Sequence, residues 1–222
     1  IADVTDPAAI ANGVRRGHEI MGKLANLPFP TVAAIEGACL GGGCETVLAM
    51  DWRLASDSKK TQIGLPEMKL GILPGWGGTT RLPRIAGLAT ALDVILAGKV
   101  VDSKRAKRMG LVDELVPAPI LLEAARRFAR SKFGTPKRAN AAPDGGPLRA
   151  VPAKGLEKLL EGIGKSVVFG KARSSVLRET HGNYPAPLAA LAAVEKGFGR
   201  PLPEALEIEV EAAGRLVGSP EM

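Results

Sequence analysis

Residues 41–45 read Gly-Gly-Gly-Cys-Glu, and they stand between an apolar run at residues 31–35 and a helical pattern at residues 44–50. The run Thr-Val-Ala-Ala-Ile predicts a buried strand, because β-branched residues favour extended backbone. Residues 37–43 predict a flexible turn, where amide hydrogens can face a ligand. The N-terminus of the following helix carries about half a positive charge. A negative oxygen that develops beside Gly42 would therefore be stabilised by the amide and by the helix dipole.

Strands and helices alternate around this turn, which indicates an α/β fold. Short β-branched or apolar runs predict strands over residues 31–35, 52–56, 60–64 and 111–116. Hydrophobic spacing predicts helices over residues 7–27, 44–50, 88–96, 103–109 and 120–133. Ser103 is the predicted cap of the helix at 103–109. Residues 71–79 predict a second glycine loop.

Prolines and glycines break up any regular element between Gly134 and Pro152. We therefore divide the chain into a core domain over residues 1–134, a linker region rich in proline, glycine and basic residues over 135–185, and C-terminal connecting helices over 186–222. Helical spacing resumes over residues 155–169, 186–196 and 203–217.

The composition is that of an ordinary globular protein, with 45% apolar and 24% charged residues in a chain of 222. The formal net charge of +7 favours anionic partners. No apolar run approaches the roughly 18 residues that span a bilayer, so we expect no transmembrane segment and no signal peptide. Cys39 and Cys44 form no Cys-x-x-Cys pair. We therefore expect no disulfide framework, no metal site and a reducing, cytoplasmic compartment.

Two glutamates are the candidate catalytic residues. Glu45 projects from the first turn of the helix at 44–50, and the alternative is an acid that only favours a helix start. Glu67 follows Pro66 between apolar neighbours, where partial burial would raise its pKa toward that of a proton donor at neutral pH. Its alternative is an acid at a helix start beside proline. The two glutamates lie 22 positions apart, so only the fold can bring them together.

The loop at residues 74–79 exposes Trp76 among glycines, where a ligand could come close. Trp76 could line an acyl pocket, and the alternative is a side chain that covers the domain core. A competing motif at residues 162–166 echoes the end of a phosphate-binding P-loop, but the first glycine it needs falls at Leu159. His18 and His181 are each predicted to be a surface or satisfied polar residue.

Four segments in order resemble the enoyl-CoA hydratase/isomerase, or crotonase, superfamily. They read PTVAAIEG at residues 30–37, GGGCE at 41–45, LPE at 65–67 and PGWGGT at 74–79. The likeness continues through GLVD at residues 110–113 and covers roughly residues 10–130. Residues 182–185 and the helix after them look like the segment that joins hydratase to dehydrogenase in the α subunit of the bacterial multifunctional fatty-acid oxidation complex.

The resemblance implies a spiral of β-β-α turns and the syn hydration of a trans-2-enoyl-CoA to a 3-hydroxyacyl-CoA. By the resemblance, Glu45 holds and activates the water, Glu67 delivers a proton to the α carbon, and the Gly42 amide forms half of the oxyanion hole. The substrate-binding residues are expected to be Gly41, Pro66, Gly75 and Trp76. Both glutamates are present, which favours a hydratase. The alternatives are an enoyl-CoA isomerase, another acyl-CoA enzyme of this fold, or an inactive acyl-CoA-binding fragment.

The same resemblance sets the expected cofactors and partners. CoA is part of the substrate, and NAD would be needed only in a dehydrogenase domain supplied by the parent chain. A thiolase subunit is a further expected partner, whereas nucleic acid is not, because aromatic residues for base stacking are scarce. Family members carry strands before the position of Ile1, and these donate the other oxyanion amide. Since losing one such donor costs about 10²–10³ in turnover, we expect little activity from residues 1–222 alone.

Overall fold

Two three-stranded sheets organise residues 6–138 and 164–217, which are the residues that the computed structural model describes. The first sheet is fully parallel and has the order β1-β3-β6. The second has the order β2-β4-β5, with β2 parallel and β5 antiparallel to β4. The strands are β1 (Val32–Ile35), β2 (Ala38–Leu40), β3 (Trp52–Ser56), β4 (Gln62–Gly64), β5 (Val100–Asp102) and β6 (Glu114–Val116).

Helices surround the two sheets. Before the gap in the description they are α1 (Pro7–Ala25), α2 (Gly42–Leu48), α3 (Gly78–Ala86), α4 (Leu88–Leu96), α5 (Ser103–Arg108) and α6 (Leu121–Ser131). After it they are α7 (Lys165–Thr180), α8 (Pro185–Gly197) and α9 (Leu202–Val217). Short 3₁₀ helices occupy Pro66–Leu70 and Ala118–Ile120. In the described ranges, no helix combines the length and the apolar character needed to cross a membrane.

The C-terminal helices share the hydrophobic core of the preceding part of the chain. Helix α8 packs on α3 and α4, and α9 packs on α8 and α1. Leu191 of α8 is fully buried in the same cluster as Leu82 of α3 and Ile95 of α4. The alanine-rich sequence of α8 explains the close approach, because small side chains let neighbouring helices lie near each other. Helices α8 and α9 therefore belong to the same hydrophobic core as α3 and α4.

The predicted α/β alternation is confirmed, and several helices and strands match closely, β3 and α4 at the predicted bounds. Other predictions were wrong. The turn at residues 37–43 contains strand β2, and the loop at 71–79 ends early because α3 begins at Gly78. Helix α5 is capped by the Asp102 side chain, which accepts from the amide of Arg105, and not by Ser103. Helix α7 continues well beyond residue 169, whereas residues 155–163 of that predicted helix lie outside the described residues.

Replacing Leu191 by alanine tests whether α8 is part of the core. We expect the free energy of unfolding to fall by about 2–5 kcal/mol, because the deletion leaves a cavity among fully buried side chains. Urea denaturation followed by circular dichroism measures the change. Leu122→Ala is the control, since Leu122 of α6 is 58% exposed. Equal stability of the two variants would contradict the shared core.

Candidate active site

The start of helix α2 places Glu45 and the Gly42 amide side by side. Gly41 adopts a left-handed backbone with φ of 54°, which turns the chain from β2 into α2. The Gly41 amide donates to the carbonyl of Gly64 at 3.0 Å, which ties this turn to β4. Among residues 6–138 and 164–217, no acceptor pairs with the Gly42 amide. This amide is one of the first donors of a helix, which have no partner inside the helix.

The Glu45 carboxylate is buried under the loop at residues 74–79, which we call the glycine loop. Glu45 is 3% exposed, and its Oε1 accepts from the amides of Trp76 at 2.7 Å and Gly78 at 2.8 Å. A Cβ atom on Gly78 would lie 2.9 Å from the same oxygen. Glycine is therefore the residue that lets the loop close onto this carboxylate.

Glu67 enters the same region from the 3₁₀ helix Pro66–Leu70. It is 8% exposed, and its Oε1 lies 3.0 Å from where a Cβ atom on Gly41 would stand. Within the described part of the chain, its Oε2 has no hydrogen-bond partner although it is buried. A buried carboxylate oxygen without a partner loses the hydrogen bonds it made to water. Glu67 can therefore offer Oε2, or a proton on it, to a molecule bound beside Gly41.

Burial dominates the electrostatics of both carboxyl groups. Burial and the negative charges of Glu209 and Glu67 together raise the pKa of Glu45 to about 8, although the hydrogen bonds from the amides of Trp76 and Gly78 act to lower it. Burial likewise raises the pKa of Glu67, and the charge of Glu209 adds to the effect. Both glutamates lie at the same turn, because Glu67 Oε1 stands against Gly41 and the Glu45 amide donates to the Gly41 carbonyl at 2.9 Å. Because both pKa values are raised, the pair can retain a proton at neutral pH.

The remaining predicted site residues lie around these two carboxyl groups. The Trp76 ring stands between Gly17 of α1 and Gly42, and a Cβ atom on Gly42 would lie 2.9 Å from ring atom Cζ3. The indole is 44% exposed, so it covers the site only in part. A Cβ atom on Gly75 would lie 3.2 Å from Val14 of α1, so this glycine packs the loop against that helix. Pro66 begins the 3₁₀ helix that carries Glu67.

Sequence reasoning missed a third buried carboxylate, Glu209 of α9. It is fully buried and accepts hydrogen bonds from the amide of Gly77 at 2.6 Å and the hydroxyl of Thr79 at 2.5 Å. Nε2 of His18 in α1 lies 2.8 Å from Oε1 of Glu209. His18 is therefore a buried residue with a polar partner, as one of its two interpretations expected. The sequence did carry a signal for a buried Glu209. It lies four residues after Ala205, so both residues fall on the apolar face of α9.

Comparison with known proteins identifies similar chains. A model of the enoyl-CoA hydratase/isomerase family matches residues 11–142. A fatty acid oxidation complex subunit alpha of Shewanella amazonensis is 46% identical over 209 residues, which are 93% of this chain and 28% of that protein. The chain thus spans less than a third of the length of this curated relative.

Solved structures support the same fold. The crystal structure of an enoyl-CoA hydratase from Bacillus anthracis aligns with a TM-score of 0.53 at 40% identity, over 56% of this chain and 47% of that one. A Geobacillus kaustophilus enoyl-CoA hydratase aligns with a TM-score of 0.52 at 28% identity, over 93% of this chain and 60% of that one. These similarities confirm the predicted crotonase-like α/β fold.

Alanine at Gly42 and at Gly43 distinguishes the packed glycine from its neighbour. We expect Gly42→Ala to displace the Trp76 ring, because the added methyl group meets two ring atoms at 2.9 and 3.1 Å. Gly43→Ala is the matched control, since nothing lies within 4 Å of its added Cβ. The emission wavelength of Trp76, measured in a Trp52→Phe background, reports the displacement. A shift of the same size in both variants would rule out this packing.

Proposed function

Because the chain belongs to the enoyl-CoA hydratase/isomerase family, we propose that it is the hydratase part of a bacterial fatty-acid oxidation enzyme and adds water to trans-2-enoyl-CoA thioesters. The observation that carries the proposal is the convergence of two buried carboxyl groups, Glu45 and Glu67, at a helix start with an unpaired amide among the described residues. Hydration of an activated double bond needs one group to take a proton and another to give one.

The proposed reaction assigns one carboxyl group to each proton transfer. Glu45, when ionised, takes a proton from water while the water oxygen forms a bond to C3. The electron pair of the C2=C3 bond moves toward the thioester carbonyl, and Glu67, when protonated, gives its proton to C2. Glu45 then holds a proton and Glu67 is ionised. Proton exchange with water restores the starting pair.

The Gly42 amide is proposed to bind the thioester oxygen as this becomes enolate-like. The amide belongs to the first turn of α2, so it adds the positive end of the helix dipole to its hydrogen bond. Trp76 lies against Gly42 with part of its ring exposed, which fits a role beside the acyl chain. Gly41, Pro66 and Gly75 complete the proposed substrate-binding set by fixing the backbone around the two glutamates.

The partners of the site are also proposals. The similar Shewanella protein is named as the alpha subunit of a fatty acid oxidation complex and is more than three times as long as the matched region. On that basis we propose dehydrogenase domains in the same parent chain and a thiolase subunit as partner. NAD would serve those domains, whereas residues 1–222 need no cofactor beyond the CoA of the substrate. The cytoplasm is the proposed location.

Glutamine at either glutamate tests the reaction. We expect Glu45→Gln and Glu67→Gln each to reduce kcat for hydration of crotonyl-CoA by about 10²–10⁴-fold, because each removes one proton transfer. The rate is measured as the loss of absorbance of the conjugated thioester. The variants are made in the parent protein proposed above. Assays with 2-enoyl and 3-enoyl substrates, followed by product analysis, separate hydration from isomerisation.

Glu123→Gln is the matched control for this experiment. Glu123 also lies in the first turn of a helix, but it is exposed on α6. Its replacement is expected to leave the rate unchanged. Wild-type activity in either Glu45→Gln or Glu67→Gln would refute the proposed mechanism.

The pH dependence of kcat/KM is expected to be bell-shaped, because the reaction needs one proton on the pair. Activity falls as pH rises through about 8, where the pair loses that proton. On the acid side it falls as the second carboxylate is protonated, at a pH above the ordinary value of 4.5, since burial raises both pKa values. The two apparent values belong to the pair. A rate that still climbs above pH 8 would contradict this assignment.

A further inference from the structure

Three consecutive backbone amides of the glycine loop are divided between two carboxylates. The amides of Trp76 and Gly78 donate to Glu45, and the amide of Gly77 between them donates to Glu209. Glu45 comes from α2 and Glu209 from α9, so the loop is clamped from two elements. The Thr79 hydroxyl adds a further bond to the other oxygen of Glu209. Four donors within four successive residues therefore hold the loop in one conformation.

Glu209 is matched by positive and polar groups from two further helices. A fully buried carboxylate is costly unless its oxygens are bonded and its charge is balanced. Arg81 of α3 is itself buried and donates from Nη1 to the carbonyl of Trp76 at 3.2 Å, so it holds the same loop. The titratable or charged groups that face Glu209 or act on it are His18 of α1, Arg81 and Arg84 of α3, Glu45 of α2 and Glu67 of the 3₁₀ helix.

We propose that Glu209 is a positioning residue for the reaction: it fixes the glycine loop through Gly77 and Thr79, and the loop in turn fixes the Glu45 carboxylate. This inference rests on the proposed function. Glu209 does not need to touch the substrate, because its two oxygens are already occupied by Gly77, Thr79 and His18. Its positioning effect on Glu45 passes through the backbone of one loop, and its charge acts in addition on the pKa of Glu45.

The position of Glu209 makes helix α9 part of the active site. Helix α9 lies more than 100 positions after the loop in sequence and packs against α1 and α8. Because Gly77 and Gly78 are adjacent, a shift of the Gly77 amide also moves a donor to Glu45. Misplacement of a catalytic group by about 1 Å can cost about 10²-fold in rate. Loss of the Glu209 carboxylate should therefore lower kcat although no proposed catalytic residue is changed.

Glu209→Gln tests the proposal, with Glu211→Gln as the matched control. Both glutamates lie on α9, but Glu211 is half exposed and pairs with Arg215 on the surface. We expect Glu209→Gln to lower kcat for crotonyl-CoA about 10–100-fold, while KM stays close to the wild-type value. Thr79→Val keeps the charge and removes one of the bonds to Glu209, so a smaller loss of kcat is expected. Thermal unfolding of each variant records how much protein is folded.

A second readout needs no substrate. Trp76 and Trp52 are the two tryptophans of the chain, and Trp52 packs against Phe128 away from the site. In a Trp52→Phe background, acrylamide quenching of Trp76 reports how firmly the glycine loop is held. We expect stronger quenching in Glu209→Gln and wild-type quenching in Glu211→Gln. Equal quenching in the two variants would overturn the proposal.

A third readout distinguishes positioning from general stability. The charge of Glu209 raises the pKa of both Glu45 and Glu67, so its removal should move both limbs of the pH profile to lower pH. A loss of activity that follows only the folded fraction, with an unchanged pH profile, would also overturn the proposal. If the wild-type protein hydrates no enoyl-CoA, the proposed function fails, whereas the quenching experiment still decides whether Glu209 holds the loop.

Discussion

The burial of the Glu45 carboxylate is the constraint on which the rest of the site depends. A carboxylate that leaves water must regain hydrogen bonds, and the amides of Trp76 and Gly78 provide them. The Gly78 amide is available because Gly78 begins helix α3, whose first N–H groups have no partner inside the helix, and the Trp76 amide comes from the loop just before the helix. The positive end of the helix dipole adds to the effect. The start of α3, the path of the glycine loop and the place of Trp76 are thus all arranged around one buried carboxyl group.

Close packing around the Trp76 ring and the Glu45 carboxyl group explains why glycine recurs in elements where it is unfavourable. Glycine costs a helix about 1 kcal/mol relative to alanine, yet Gly17 lies within α1 and Gly42 begins α2. Any side chain at either position would overlap with the ring of Trp76. Gly78 faces the Glu45 carboxylate in the same way. These positions require glycine because a neighbouring side chain lies too close to leave room for a Cβ atom. Gly43, beside Gly42, has open space around it.

The sequence predicted strand β1 and the helix α2 that carries Glu45, because their signals are local. Strand β2 was missed since three residues beside glycines give no periodicity, and α3 was missed since Pro83 within it resembles a helix breaker. The meeting of Glu45 and Glu67 was expected only from family resemblance, because 22 intervening residues do not fix their separation. Glu209 was missed because its role depends on tertiary packing, and only the fold shows that α9 lies against the glycine loop.

The third carboxylate shows how a distant helix can become necessary for a site built from a local motif. Composition separates the C-terminal helices from the core, but packing does not, since Leu191 of α8 and Val210 of α9 are buried in the same cluster as the helices around the loop. A charged residue on an apolar helical stripe must find partners inside the protein. Glu209 finds them in the backbone of the glycine loop and in His18. The stability of α9 and the geometry of Glu45 are therefore coupled.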